Sequence, residues 1–230
     1  MRDDSIRVRD ESFRLVRSQL LVALADLNNP TVVVTSSLAD EGKTATCAGL
    51  AVSLARSGRR VVAVDVDLRH PNLHERFNAP NEVGVSDVLL EKVQLEDALQ
   101  YVKLEPGGEG FYFLATGRDT NNPTELLGTA RIARMLDVLS SQADVVLLDT
   151  PPVLPVADTL VIGRMAAGAI LVVESRSTPV PAVMQAKDAL TRNQTRLLGV
   201  VLNKVQSRDL TTAIGYGYGF GDGNRADAGA

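Results

Sequence analysis

An α/β chain with a doubly wound, mostly parallel sheet and helices on both faces, three layers in all, accounts for three features of this sequence. Short apolar runs alternate with longer amphipathic ones from Thr31 to Leu202, the rhythm of strand, helix, strand with right-handed crossovers. Val32-Val33-Val34, Val61 to Val64 and Val145 to Leu148 contain no polar alternation, as strands covered on both faces require. Three runs then end on polar or acidic residues, at Ser36-Ser37, Asp65 and Asp149, the strand edge where such sheets bind ligands.

Composition narrows the class. With 230 residues, 45% of them hydrophobic, the chain can bury the core of one domain. A net charge of −4 with no long basic run gives no electrostatic case for nucleic acid. The single cysteine, Cys47, lies on the apolar side of a helix and reads as a small core residue in a reducing compartment. No run of 18 apolar residues and no signal-peptide pattern occurs, so the chain is expected to be cytoplasmic, with a membrane partner left open.

Taken in order, Asp10 to Leu27 reads as an amphipathic helix, with Phe13, Val16, Leu20, Ala23, Leu24 and Leu27 on one arc. Glu11, Arg14 and Arg17 form a separate charged stripe, either a solvated face or a contact for a neighbouring subunit. A strand over Val32 to Val34 leads through a polar loop into a helix from about Lys43 to Leu54, which Gly58 and Arg59-Arg60 end. Val61 to Val64 is the second strand. Short helical pieces are expected at Val85 to Leu90 and Leu95 to Tyr101, with a loop at Pro106-Gly107-Gly108. Phe111 to Ala115 is a strand, Pro123 to Leu127 a helical turn, Ala130 to Ser141 a helix and Val145 to Asp149 a strand. A helix near Ala157 to Met165, a strand at Ala169 to Glu174, a helix at Pro181 to Asn193 and a strand at Leu198 to Leu202 complete the pattern. From Gln206 onward glycine alternates with Tyr216, Tyr218 and Phe220, a composition expected to be disordered.

The chemistry sits at the strand ends. Ser37-Leu38-Ala39-Asp40-Glu41-Gly42-Lys43-Thr44 matches the phosphate-binding pattern G-x-x-x-x-G-K-[ST] except that Ser37 replaces the first glycine. A loop between a strand and a helix aims backbone N–H groups and the helix N-terminus, here at Lys43-Thr44-Ala45, at an anion. Lys43 then supplies a point charge for the β- and γ-phosphates and Thr44 a hydroxyl for Mg²⁺. Asp65 and Asp67, two apart at a strand end, share a face. Like charges so placed need a cation between them. Asp149 closes an apolar strand as a second carboxylate that orients Mg²⁺. Asn203 ends the last strand and either reaches an adenine edge or forms a turn. His70 and His74, four apart without a third ligand, read as structural or phosphate-proximal residues rather than a metal pair.

On these residues the chain resembles the bacterial tyrosine kinases of capsule and exopolysaccharide synthesis, P-loop kinases unrelated in fold to the eukaryotic ones, over nearly its whole length. The match rests on Glu41-Gly42-Lys43-Thr44, Val64-Asp65-Val66-Asp67-Leu68-Arg69 with Pro71, Asn122-Pro123-x-Glu125-Leu126-Leu127, Asp149-Thr150-Pro151-Pro152, the aromatic tail, and Glu11-x-x-Arg14-x-x-Arg17, which is similar to the family's oligomerisation motif. The resemblance implies a P-loop kinase domain over residues 1–205 and a phosphoacceptor tail over 206–230. It implies autophosphorylation of Tyr216 and Tyr218 by MgATP, largely between neighbours in a ring assembled through Glu11, Arg14 and Arg17. Lys43, with Ser37, Asp40, Glu41, Gly42, Thr44, Ala45 and Asn203, would hold the nucleotide; Asp65 and Asp67 would divide metal binding and hydroxyl activation; Thr44, Asp67 and Asp149 would surround Mg²⁺. A membrane-borne polysaccharide co-polymerase would be the activating partner, recruiting the chain to the inner face of the plasma membrane. Two departures stand out: Ala39-Asp40 replaces the family's usual Pro-Gly, adding a negative charge near the expected phosphates, and the tail carries only two tyrosines.

Two other readings differ in class. ATPases of the partitioning and division-site type resemble this chain in fold but carry an extra lysine early in the loop, where Leu38 stands here. A nucleotide-binding regulator of a polysaccharide export machine would keep the site and transfer nothing.

Overall fold

A central helix buried on nearly all sides and a seven-stranded sheet position everything else. The computed structural model describes residues 2–27, 29–104, 109–118 and 122–206, with side chains from residue 10 onward. The elements run α1 (Arg2–Leu24), β1 (Thr31–Ser36), α2 (Lys43–Ala55), β2 (Val61–Asp65), α3 (Leu73–Phe77), α4 (Val85–Leu89), α5 (Leu95–Ala98), β3 (Gln100–Val102), β4 (Phe111–Leu114), α6 (Pro123–Leu127), α7 (Ala130–Gln142), β5 (Val145–Asp149), α8 (Asp158–Gly163), β6 (Gly168–Glu174), α9 (Val180–Arg192) and β7 (Leu197–Asn203). The strand order is β3-β4-β2-β5-β1-β6-β7, parallel throughout except for β3 against β4.

Side-chain alternation divides the core into two layers. Val32 and Val34 of β1, Ala63 of β2, Phe111 and Phe113 of β4 and Leu147 of β5 pack with α1 and α2. Val33, Val62, Val64, Leu114, Val146 and Leu148 face the other way, onto α4 and α7–α9. In α7, Ile132, Met135, Leu136 and Leu139 are buried at the i, i+3, i+4, i+7 spacing of a helix lying on a sheet. At the α1–α2 crossing the Phe13 ring sits directly on Gly49: a Cβ there would stand 2.2 Å from the ring, so any larger residue would have to displace Phe13.

Three expectations are corrected. Residues Leu95 to Tyr101 are not one helix: α5 stops at Ala98 and Gln100-Tyr101-Val102 pairs antiparallel with Val102's partner Phe111 through Phe113. Tyr101 meets Tyr112 edge to face at 5.4 Å, a cross-strand pair that favours the sheet over another helical turn. Helix α3 was not expected, and it exists because the Asp65 carboxylate accepts the N–H groups of Asn72 (3.2 Å) and Leu73 (3.0 Å) at its start. Helix α1 begins at Arg2 rather than near Asp10 and ends at Leu24 rather than Leu27. Among the described residues no helix is long and apolar enough to cross a membrane. The tail, with Tyr216 and Tyr218, lies outside the described residues.

Candidate nucleotide site

Strand order explains how residues so far apart in sequence meet. Strand β5 lies between β2 and β1, with Asp149 in register with Asp65 on one side and Val34 on the other. The loop after β1 therefore opens beside both acidic strand ends. The segment after Asp149 is tied down by Thr150 N–H to Val34 O (3.2 Å), Val153 N–H to Ser36 O (2.8 Å) and the Thr35 hydroxyl to Pro151 O (2.8 Å).

At the centre, the Lys43 ammonium donates to Asp67 Oδ2 at 2.9 Å and to the Thr44 hydroxyl at 3.3 Å, and lies 3.9 Å from Asp149 Oδ1. Lys43 is 13% exposed, Asp67 3% and Asp149 1%. Burial alone would lower the Lys43 pKa, but Asp149 and Asp67 outweigh it and the net shift is upward. Burial pushes the Asp149 carboxyl up to about 6, opposed by the Lys43 ammonium and the nearby Thr44 hydroxyl. Neither Asp149 oxygen has a geometrically complete hydrogen bond among the described residues.

Asp65 and Asp67 behave differently. Asp67 faces Lys43 and uses its other oxygen to accept His70 N–H at 3.1 Å. Asp65 is fully buried, and both its oxygens are taken by backbone N–H groups, of Asp67 (3.1 Å), Asn72 and Leu73. Its pKa is raised well above the ordinary value, by burial and then by Asp149. Asp65 thus shapes the loop that presents Asp67. Arg69 anchors the far side of that loop, donating to the buried Asp158 (2.7 Å) and to Thr124 (2.8 Å).

The phosphate loop is built on left-handed backbone at Asp40 (φ 63°) and Gly42 (φ 93°). A Cβ on Gly42 would lie 2.0 Å from Asn203 Nδ2. Asn203 Nδ2 instead donates to Glu41 O at 2.9 Å, and the buried Glu41 carboxylate accepts Leu38 N–H (2.9 Å) and the Thr178 hydroxyl. The Thr46 hydroxyl donates back to Gly42 O at 2.9 Å, alongside the first backbone bond of α2. Ser37 is buried with its hydroxyl unpartnered among the described residues, and Ala45 continues the first turn of α2. The structure thus brings Ser37, Asp40 to Ala45, Asp65, Asp67, Asp149 and Asn203 to one sheet edge.

Glu11, Arg14 and Arg17 lie elsewhere, on α1. Arg14 pairs with Glu11 at 3.3 Å, both largely exposed, while Arg17 donates to Ser53 O of α2 at 2.8 Å. Sequence reasoning missed Thr178, Lys204 and Asp158. Thr178 and Lys204 follow the C-terminal ends of β6 and β7, so their place at the ligand edge of a parallel sheet was the available signal.

The profile of the CobQ/CobB/MinD/ParA nucleotide binding domain matches residues 32–216. Tyrosine-protein kinase YwqD of Bacillus subtilis is 35% identical over 196 residues, covering 85% of this chain and 81% of YwqD. The solved kinase domain of the Escherichia coli tyrosine kinase Etk superposes with a TM-score of 0.82 at 31% identity, over 86% of this chain and 76% of that one; against full-length Etk the match spans 28% of the relative. The crystal structure of the chimerical protein CapA2B2 superposes with a TM-score of 0.78 at 32% identity, over 85% and 84% of the two chains.

Proposed function

The chain belongs to the bacterial tyrosine kinases within the CobQ/CobB/MinD/ParA nucleotide-binding family, and from this we propose that it transfers the terminal phosphoryl group of MgATP to tyrosine hydroxyls. Its first acceptors are Tyr216 and Tyr218 of a neighbouring copy, and the activity serves capsular or exopolysaccharide synthesis and export. One observation carries the reading: Lys43 stands between Asp67 and Asp149, and neither oxygen of the buried Asp149 has a complete hydrogen bond among the described residues. Asp67 and Asp149 flank one ammonium with the Thr44 hydroxyl beside them, and two carboxylates against a single cation form a donor set of hard oxygens suited to a divalent cation.

Asp149, Asp67 and the Thr44 hydroxyl would hold Mg²⁺, which supplies charge neutralisation on the phosphoryl oxygens. Lys43 exchanges Asp67 for the phosphates. The N–H groups of the loop and of the first turn of α2 orient them. The tyrosine hydroxyl has an ordinary pKa near 10, so its proton must be taken up as the oxygen attacks. Asp67, once Lys43 has left it, would take up that proton on the oxygen it does not give to the metal, with Asp65 fixing its loop. As the bond from phosphorus to the tyrosine oxygen forms, the bond to the bridging oxygen of ADP breaks, and the proton passes through Asp67 to solvent. The exposed Glu11–Arg14 stripe supplies a face for a neighbouring copy, and a membrane-borne activator would bring the assembly to the cytoplasmic face of the membrane.

Transfer between copies is tested by mixing the Tyr216→Phe/Tyr218→Phe chain, as kinase, with a Lys43→Met chain, as acceptor, in MgATP. Phosphotyrosine on the Lys43→Met chain is expected. ATP consumption with no phosphotyrosine on either chain would assign the protein to the ATPases instead.

A further inference from the structure

We propose that Lys204 is a positioning residue that holds the phosphate loop in its nucleotide-ready shape through the carbonyl of Asp40. The inference rests on reading that loop as the ATP site. Lys204 follows β7 and lies in left-handed backbone, φ 55°. Its ammonium donates to Asp40 O at 2.7 Å and to Glu174 Oε2 at 2.8 Å. Asp40 is also left-handed, φ 63°, a conformation glycine takes freely and a residue with a side chain takes at a cost. Two such residues gripping each other beside a ligand site is strain that the surroundings must hold in place.

The grip is directional. Lys204 holds the carbonyl of Asp40, and its neighbour Asn203 holds that of Glu41 at 2.9 Å. Each carbonyl shares a rigid plane with the next residue's N–H, which points the opposite way. Drawing both carbonyls toward the end of β7 therefore aims the N–H groups of Glu41 and Gly42 away from it, as a concave anion site requires. The base of the grip is itself braced: Ser175 N–H bonds Asn203 O at 2.9 Å, and Thr178 links Glu174 N–H to the Glu41 carboxylate. Among the described residues the hydrogen bond from Lys204 to the loop goes to backbone, so it governs how often the loop is competent to bind. Loss of the grip lowers apparent affinity in proportion to that fraction and leaves the transfer step at saturation unchanged.

The test is titration calorimetry of the full chain with ATP and Mg²⁺, paired with phosphotransfer rates at saturating ATP. Lys204→Met keeps the stem and removes the donor; ATP should bind roughly tenfold more weakly, as loss of one charge-assisted hydrogen bond implies, with the saturated rate within about twofold of the parent. Lys204→Arg keeps a cationic donor and should retain affinity within about twofold. Glu174→Gln, which spares the contact to Asp40, should also stay within about twofold. Parent-like affinity in Lys204→Met, an Arg variant as weak as the Met variant, or a fall in the saturated rate at unchanged affinity would each overturn the proposal while leaving the kinase reading intact. Absence of ATP binding in the parent chain would overturn both.

Discussion

Replacing Asp149 by asparagine should make the nucleotide-free protein more stable while removing its response to magnesium nucleotide. The Asp149 carboxyl titrates at about 6 in the fold against 3.8 unfolded. Its folded value is the higher one, so the fold binds more protons than the unfolded chain across that window. Stability falls as pH rises from 3.8 to about 6, and the whole penalty is present above it. At 1.36 kcal/mol per pH unit the penalty is about 3 kcal/mol. A buried amide with imperfect partners returns about 1 kcal/mol of this, so Asp149→Asn should gain about 2 kcal/mol at pH 7.5, or roughly 4–8 °C in Tm for a domain of this size. At pH 5 about half the penalty has already gone, and the advantage should shrink by about 1.5 kcal/mol. Asp65 shifts in the same direction, first through burial and then through the Asp149 charge, so the asparagine relieves part of its penalty as well and adds to the gain at pH 7.5, and the Lys43 shift acts only above pH 10.5. Thermal unfolding in EDTA at pH 5 and pH 7.5, repeated with MgATP at pH 7.5, reads all of this. An asparagine variant no more stable than the parent at pH 7.5, equally displaced at both pH values, or still stabilised by MgATP would refute the reasoning.

Lys43→Met should abolish ATP binding and phosphotyrosine, and also lower Tm in EDTA, because it leaves two buried carboxylates without their cation, a loss of about 3–5 kcal/mol; undiminished phosphotyrosine would remove the loop from the mechanism. Gly42→Ala should lose nucleotide affinity, since its Cβ would meet Asn203 Nδ2 at 2.0 Å on a backbone of φ 93°, and pairing it with Asn203→Gly should recover part of the fold stability in denaturant melts. Arg14→Ala with Arg17→Ala should dissolve oligomers in light scattering. Arg17→Ala alone should also cost about 1 kcal/mol of stability, because it breaks the bond to Ser53 O, whereas Arg14→Ala, on an exposed pair, should leave Tm near that of the parent.

Much of this arrangement could be read from the chain because its physics is local. Val32 to Val34 and Val145 to Leu148 have the unbroken hydrophobicity of strands with both faces covered, and the structure buries every one of them. Lys43, Asp67 and Asp149 could be placed together because each ends a strand, follows one within two residues or opens the helix after one, and parallel sheets gather such ends. What sequence hid depends on distant partners. Helix α3 is capped by Asp65, seven and eight residues upstream, so no local cap announces it. Strand β3 has three residues and exists through its pairing with β4, leaving no period to detect. The first residues of α1, Arg2 to Arg9, are polar apart from Ile6 and Val8, and two apolar residues two apart carry no helical signature. Lys204 reaches Asp40 across 164 positions and Thr178 reaches Glu41 across 137; only the register of the finished sheet brings them side by side.

Mass-spectrometric mapping of phosphotyrosine after incubation with MgATP tests the account at its centre, with the Lys43→Met chain as reference. Phosphate on Tyr216 or Tyr218 of the parent and on no tyrosine of the Lys43→Met chain is predicted. ADP formed by the parent with every tyrosine unmodified would contradict it.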